Sequence, residues 1–173
     1  MLMNSNGTCT TKKTELNNTR FYCDEMLGRL ARYLRAAGFD TRLASKGAPD
    51  SIILAEAIDE NRWFLTLDKL IMKHKVAKNH VILLPQGGLD TYAEMIGARL
   101  ELNWLNRPFT RCLIDNYLLE EASPLQRESI PLHFKETSQS IKICPACSRI
   151  YWRGSHSRRM EETLWRWQNL MRS

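Results

Sequence analysis

The regular alternation of short apolar runs with segments of helical spacing constrains this chain's fold more than any other feature of its sequence. Four apolar runs between residues 20 and 102 are predicted to be strands, and a segment with apolar residues at helical spacing follows each of them. Parallel strands need long crossover connections, usually helices, so this order favours a parallel sheet with helices on its faces. The sequence therefore predicts an α/β fold with a mainly parallel sheet flanked by helices.

Spacing and end signals locate these elements along the chain. The predicted strands cover residues 20–23, 39–44, 63–66 and 81–84. Gly38 is predicted to stop the first helix, and Asp50 occupies the position of an N-cap for the second. A short helical stretch is expected after Asp68, and the fourth helix is expected to end near Leu102.

The chain length of 173 residues suits one ordinary domain with a small accessory. Residues 1–19 are polar and lack periodicity, which predicts a flexible tail. The regular pattern lapses near residue 106, where prolines and polar residues become frequent. The sequence thus predicts an α/β domain over 20–105 and a small basic module over 106–173, whose last stretch is expected to form a helix over 158–171.

The distribution of charge indicates the kind of partner. Of the net charge of +6, most falls on residues 142–173, where seven lysines and arginines face two glutamates. A basic segment at one end favours an anionic partner, of which nucleic acid is the commonest, although a merely solvated surface is the alternative. No window holds the roughly 20 apolar residues of a membrane span, and the N-terminus lacks a signal peptide's apolar core, so we expect a cytoplasmic protein without a membrane partner.

Three aspartates are predicted to meet at one edge of the sheet. Asp24 follows the first strand, Asp50 begins the second helix, and Asp68 follows the third strand. Carboxylates that converge there would repel one another unless a hard cation lay between them, and Mg²⁺ or Mn²⁺ takes such oxygen ligands. This pattern predicts a divalent-metal phosphodiesterase centre, although each aspartate taken singly could be a helix cap or a loop residue.

Three arginines recur at every third position of the helix after Asp24: Arg29, Arg32 and Arg35. A phosphate backbone that approached the carboxylates could lie along them, or they could form a solvated face. Glu25 is a possible accessory metal ligand, because it is adjacent to Asp24.

The cysteine pattern predicts a second metal site. The five cysteines are an odd number, which argues against a disulfide framework in a chain without an export signal. Cys144 and Cys147 have the spacing of a zinc knuckle, and Cys112 and Asp115 repeat that spacing. A Zn²⁺ site with three cysteines and one aspartate is possible, as are recruitment of His133 or His156 and loss of zinc with the fold retained.

The segment after the second knuckle offers groups that suit unpaired bases and phosphates. The candidate RNA-binding residues there are Arg149, Tyr151, Trp152, Arg153 and His156. Tyr151 and Trp152 could equally form the small core of the metal-binding module.

Several long strings resemble a known family. They are FYCDEMLGRLARYLRAAGFDT, APDSIILAEAIDENRWFLTLDKL, TRCLID and ICPACSRIYWRGSHSRRM. They are similar to the PIN-like ribonuclease domain found at the C-terminus of the Mut-seven exonuclease and in stand-alone bacterial and archaeal proteins. The resemblance implies a PIN-like α/β fold with a C-terminal zinc ribbon, and metal-dependent RNA cleavage by clustered acidic residues.

Carried over position by position, the resemblance assigns the acidic centre to Asp24, Asp50 and Asp68. It assigns the zinc ligands to Cys112, Cys144 and Cys147. Asp115 departs from the pattern, because the family has a fourth cysteine there, and Leu67 stands where the family usually has arginine.

The leading hypothesis is a metal-dependent endoribonuclease to which the basic ribbon delivers RNA. The alternative is a non-catalytic RNA-binding protein on a PIN-like scaffold, and a third, less favoured, is a toxin-like protein that needs an antitoxin. The absence of a glycine-rich loop after the first strand argues against a P-loop or Rossmann nucleotide enzyme.

Overall fold

A computed structural model of the chain describes residues 18–74, 77, 79–128, 130 and 140–171. The predicted flexible tail therefore lies almost wholly outside the described residues, as does His133. Among the described helices, none is both long and apolar enough to span a membrane.

Four parallel strands form the central sheet. They are β1 (Arg20–Cys23), β2 (Asp40–Leu43), β3 (Trp63–Thr66) and β4 (Val81–Leu83). Their order across the sheet is β2-β1-β3-β4, and each neighbouring pair is parallel. The prediction of an α/β fold with a mainly parallel sheet flanked by helices is confirmed.

Helices cover both faces of this sheet. They are α1 (Gly28–Ala36), α2 (Asp50–Asp59) and α3 (Leu89–Leu100), and two short 3-10 turns cover Glu25–Leu27 and Lys69–Lys73. Successive strand residues point to opposite faces, so Phe21 packs in the cluster with α1 and α3, whereas Tyr22 packs in the cluster with α2. Both faces are apolar, as a buried parallel sheet requires.

Of two helix ends predicted from the sequence, the structure confirms one and contradicts the other. Gly38 has φ of +96° and its N–H donates to the carbonyl of Arg35, so it terminates α1 as predicted. The prediction that Asp50 is an N-cap is wrong, because Pro49 occupies that position and the helix has no side-chain cap. Asp50 is instead the first residue of α2, where a carboxylate still interacts favourably with the helix dipole.

Beyond residue 106 the chain forms a small antiparallel sheet and a long helix. The elements are β5 (Glu120–Glu121), α4 (Pro124–Glu128), β6 (Lys142–Ile143), β7 (Ile150–Tyr151) and α5 (Ser155–Leu170). The three strands pair in the order β5-β6-β7. A buried cluster of four residues, Ala122, Ile130, Ile141 and Ile143, packs beneath them.

Helix α5 packs against α1 and α3 of the first domain. Its buried Trp167 lies 5.0 Å from the ring of Trp104 and 5.0 Å from that of Tyr33 on α1. The side-chain oxygen of Gln168 accepts a hydrogen bond of 2.7 Å from the backbone N–H of Trp104. The last helix of the predicted second module therefore completes the core of the first domain.

Arg35 joins α1 to the segment around Cys112. Its guanidinium donates to the carbonyls of Leu113 and Ile114 at 3.0 and 2.6 Å and to that of Thr41 at 2.8 Å, and the residue is only 5% exposed. A buried cation held by three carbonyls is not available to a phosphate, so the prediction that Arg35 lines an RNA path with Arg29 and Arg32 is wrong.

Asn116 strengthens the same junction at the edge strand β2. Its side-chain oxygen accepts from the N–H of Thr41 at 2.9 Å, and its amide donates to the carboxylate of Asp40 at 2.7 Å. Asn116 has φ of +67°, a conformation that asparagine tolerates better than most residues. The segment around Cys112 is thereby fixed to the edge of β2 by the side chain of Asn116, without adding a strand to the sheet.

We expect Arg35→Met to lower the free energy of unfolding by about 2–4 kcal/mol, because three carbonyls lose their donor in a buried junction. Urea unfolding followed by tryptophan fluorescence measures this. Arg32→Met, on an exposed position of the same helix, is the matched control and is expected to cost under about 0.5 kcal/mol. Equal stabilities of the two variants would contradict a structural role for Arg35.

Candidate functional site

The carboxyl ends of all four parallel strands lie at one edge of the sheet. Strand β2 pairs with one side of β1, and β3 pairs with the other side. The connections that follow β1 and β3 therefore run in opposite directions across the sheet. In open α/β sheets such a reversal of strand order leaves a crevice in which ligands bind. Asp24 follows β1 and Asp68 follows β3, so the two aspartates flank this crevice.

The hydroxyl of Thr66 links these two aspartates. Its Oγ1 donates to Oδ2 of Asp24 at 2.7 Å and accepts from the backbone N–H of Asp68 at 3.0 Å. Thr66 is the last residue of β3 and is fully buried. A hydroxyl held in this way fixes the orientation of the Asp24 carboxylate relative to the chain at Asp68.

Both aspartates also begin the turns that follow their strands. Oδ1 of Asp24 accepts from the N–H of Glu25 at 2.6 Å, and Oδ1 of Asp68 accepts from the N–H of Leu70 at 2.8 Å. Each therefore caps a 3-10 turn, which is the ordinary structural role of such a residue. Both side chains remain partly exposed, so their carboxylates are accessible to a ligand.

Asp50 reaches the same edge through a different loop. Oε2 of Glu25 accepts from the N–H of Gly47 at 2.6 Å, which joins the turn after β1 to the loop between β2 and α2. Asp50 is the exposed residue that follows this loop. The turns after β1, β2 and β3 are thus connected by hydrogen bonds around Asp24 and Glu25.

The acidic set does not form a closed ligand cage. Among the described residues, one group of three or more histidines, cysteines or acids has all its ligand atoms within 4.8 Å of one another, and it is not the acidic set. The structure brings Asp24 and Asp68 to the same buried hydroxyl and leaves Asp50 on a neighbouring loop.

Exposed cations lie on the segments that follow the first three strands. Arg29 and Arg32 on α1 are exposed, as predicted for residues that could meet a phosphate backbone. Lys46 and Lys69 are also exposed and lie in the loops that follow β2 and β3. Sequence reasoning missed both lysines, although their positions directly after predicted strands were the signal that could have identified them.

The group that the structure does gather consists of Cys112, Asp115, Cys144 and Cys147. The two sulfur atoms of Cys112 and Cys147 lie 3.8 Å apart, and Oδ2 of Asp115 lies 3.7 Å from the sulfur atoms of Cys112 and Cys144. A tetrahedral ion with Zn–S of about 2.3 Å and Zn–O of about 2.1 Å requires separations of about 3.8 Å between sulfurs and about 3.6 Å between sulfur and oxygen. These three separations match those of a tetrahedral site, and all four ligand atoms lie within 4.8 Å of one another.

The two ligand pairs sit on turns of the same construction. The carbonyl of Cys112 accepts from the N–H of Asn116, and that of Cys144 accepts from the N–H of Ser148 in the same way. The residue after the second ligand has positive φ in both turns, 67° at Asn116 and 57° at Ser148. The segment with Asp115 is therefore a knuckle like the one with Cys147, despite its different ligand.

Neighbouring groups shift the pKa values of the cysteine thiols in this group. Burial raises the pKa of Cys112, but hydrogen bonds from the Tyr151 hydroxyl at 3.0 Å and from the backbone bring that pKa below its usual range. The contact with Asp115 raises the pKa of Cys147 to about 12 and lowers that of Asp115. Tyr151 and the backbone thus favour the thiolate form of Cys112.

The candidate RNA-binding residues near this group have different environments. The Tyr151 hydroxyl contacts Cys112 and accepts from the N–H of Leu113, which favours the structural interpretation of that residue. Arg149 and His156 are exposed, and Arg153 is exposed while paired with Glu161 at 3.3 Å. Trp152 is partly buried, with its indole close to Gly154.

Comparison with protein families finds a match to the model described as the Mut7-C RNAse domain, over residues 19–164. Comparison with the curated proteins finds no match, and comparison with the solved structures finds none. The family match begins just before β1 and extends through both knuckles into α5. A function of the nuclease type accords with this family and with the acidic edge of the sheet, and we conclude that the chain belongs to the Mut7-C RNAse domain family.

Proposed function

We propose that this chain is a divalent-metal-dependent endoribonuclease that hydrolyses RNA phosphodiester bonds at the edge bearing Asp24, Asp50 and Asp68. The observation that carries the proposal is the hydrogen-bonded unit of Asp24, Thr66 and Asp68 at the β1–β3 crevice. The family to which the chain belongs is described as an RNase domain, which agrees with this reaction.

The donor atoms at this edge suit Mg²⁺ or Mn²⁺. Asp24 and Asp68 offer partly exposed carboxylates from adjacent strands, and Asp50 offers a third from the next loop. Hard divalent cations prefer such oxygen ligands and retain waters for a phosphate substrate. Asp24, Asp50 and Asp68 would hold such a cation, which would supply activation of a water for in-line attack and stabilisation of the charge on the phosphate.

The remaining residues at the edge have roles in holding the substrate. Arg29, Arg32, Lys46 and Lys69 are exposed cations that can bind the phosphates on either side of the cleaved bond. Farther along the chain, Arg149, Arg153 and His156 are exposed, and Trp152 adds an aromatic ring. RNA is therefore the proposed partner, and the cytoplasm is the proposed location.

The group of Cys112, Asp115, Cys144 and Cys147 is proposed to hold Zn²⁺ as a structural site. Four ligands at tetrahedral spacing leave no open position for a substrate, which is typical of structural zinc. Arg35 and Asn116 connect this site to the α/β domain, so zinc binding would also stabilise the nuclease fold.

One observation favours a second candidate function. Among the described residues, the carboxylate oxygens of Asp24, Asp50 and Asp68 do not all lie within 4.8 Å of one another. Such a separation is compatible with a non-catalytic RNA-binding protein on a PIN-like scaffold. Binding of RNA without cleavage, and without divalent-ion binding at the acidic edge, would favour this candidate.

We expect the wild-type protein with Mn²⁺ or Mg²⁺ to cleave a mixed pool of single-stranded and structured RNA. Asp24→Asn and Asp68→Asn should each lower the cleavage rate on the order of 100-fold, because each removes a charge that acts on the reacting phosphate. Asp59→Asn, an exposed aspartate at the end of α2, is the matched control and should retain activity. RNA binding by all proteins with cleavage by none would contradict the proposed reaction.

Thr66→Val should lower the cleavage rate about 10- to 100-fold by releasing the Asp24 carboxylate from its fixed orientation. Thr41→Val is the matched control, since Thr41 is equally buried but its hydroxyl donates to the carbonyl of Phe39, away from the acidic edge. Rates and thermal unfolding are compared for both variants. A rate loss that is the same for both would show that it reflects stability and not the position of Asp24.

We expect one Zn²⁺ per chain, measured by elemental analysis, and expect Cys144→Ser to lose it because a neutral hydroxyl replaces a thiolate ligand. Asp115→Cys should bind zinc more tightly in competition with a chelator, since thiolate is the softer ligand. Cys23→Ala, a buried thiol of β1 outside the group, should keep the metal. Zinc retained by Cys144→Ser would contradict the assigned site.

A further inference from the structure

The outer face of α5 carries an unusual combination of groups. The exposed side chains that recur at helical spacing along it are Arg158, Arg159, Glu162, Trp165, Arg166 and Leu170. Three cations outnumber one acid on this face, and a tryptophan with half of its surface exposed lies among them. Exposed tryptophan is costly to leave in water, and an aromatic ring between arginines suits a stacked nucleobase with its phosphates.

This face also contains an open groove. The groove has a volume of about 570 Å³ and is lined by Glu162, Trp165, Arg166, Asn169 and Leu170. Its walls are mostly apolar, with the indole of Trp165 and the side chain of Leu170 on the surface. The indole of Trp165 can accept a base on its face, and the guanidinium of Arg166 at the rim of the groove can bind a phosphate.

Asp90 joins one end of the groove to the first turn of α3. Oδ1 of Asp90 accepts from Arg166 at 2.6 Å and from the indole N–H of Trp167 at 2.7 Å. These hydrogen bonds, and the charges of Arg166 and Arg29, hold the pKa of Asp90 below its usual range. Asp90 lies in the first turn of α3, which begins after β4 at the carboxyl edge of the sheet, so the groove and Arg29 border the same side of the molecule.

We infer that this groove binds single-stranded RNA beyond the cleavage site, with a base stacked on Trp165 and phosphates held by Arg158, Arg159 and Arg166. The path of the RNA, from the acidic edge past Arg29 to the groove, rests on the proposed ribonuclease function. Arg158, Arg159 and Glu162 lie within the segment matched by the family model, whereas Trp165, Arg166 and Leu170 lie beyond it.

Fluorescence anisotropy with a labelled 12-nucleotide RNA tests this binding. The full chain is used in the Asp24→Asn background without added Mg²⁺ or Mn²⁺, so that the strand stays intact. Trp165→Leu, which keeps apolar bulk but removes the aromatic face, should weaken binding about tenfold, and Trp165→Phe should restore most of it. The same RNA paired with its complement should show no difference between these variants, because its bases are already stacked.

Leu125→Ala is the control for loss of exposed apolar surface elsewhere, and should bind like the parent. Equal binding by Trp165→Leu and the parent would overturn the inference, even if the wild-type protein cleaves RNA. Dissociation of a dimer by Trp165→Leu would also overturn it, since the groove would then hold a second copy of the chain. Binding that depends on Trp165 in a protein that cuts no RNA would support the groove and overturn the nuclease proposal.

Discussion

The whole structure depends on covering both faces of a four-stranded parallel sheet. Because the strands are parallel and apolar on both sides, helices must pack on each face, and their connections must all begin at the same edge. Helix α2 covers one face, and α1 and α3 cover the other. The second face is completed only when α5 brings Trp167 against Trp104 and Tyr33. The parallel order of the strands also puts Asp24 and Asp68 at one edge of the sheet, where Thr66 links them.

The segment around Cys112 is joined to this sheet by polar bonds as well as by apolar packing, since Phe109 and Leu113 pack against the main core. Arg35 reaches from α1 to the carbonyls between the two ligands of the first knuckle, and Asn116 completes the edge of β2. A buried guanidinium without its carbonyl partners would be strongly unfavourable, so the knuckle and the sheet support each other. The α/β sheet and the group of Cys112, Asp115, Cys144 and Cys147 are therefore parts of one structural unit.

Much of the fold could be predicted because periodicity and end signals act locally. Gly38 ended α1 as expected, and the bounds of β3 matched the apolar run that predicted them. The positions of Asp24 and Asp68 at one edge followed from the parallel order alone. The role of Arg35 could not be predicted in the same way, because two of its three carbonyl partners lie about 80 residues away and no local pattern distinguishes it from Arg32. The link through Thr66 is equally non-local, since it joins the ends of two strands.

Asp115 shows how a departure from a pattern can preserve the chemistry of a site. Three thiolates and one carboxylate carry the same total charge as four thiolates, so a bound divalent ion would be neutralised to the same extent. The knuckle around Asp115 keeps the positive φ at its next residue and the same backbone bond to its first ligand. The oxygen lies 3.7 Å from two sulfurs, which a tetrahedral ion can bridge. Sulfur still dominates this group, whereas the acidic edge offers only oxygen. The two proposed sites would therefore take different metals: Zn²⁺ at the sulfur-rich group, and Mg²⁺ or Mn²⁺ at the carboxylates.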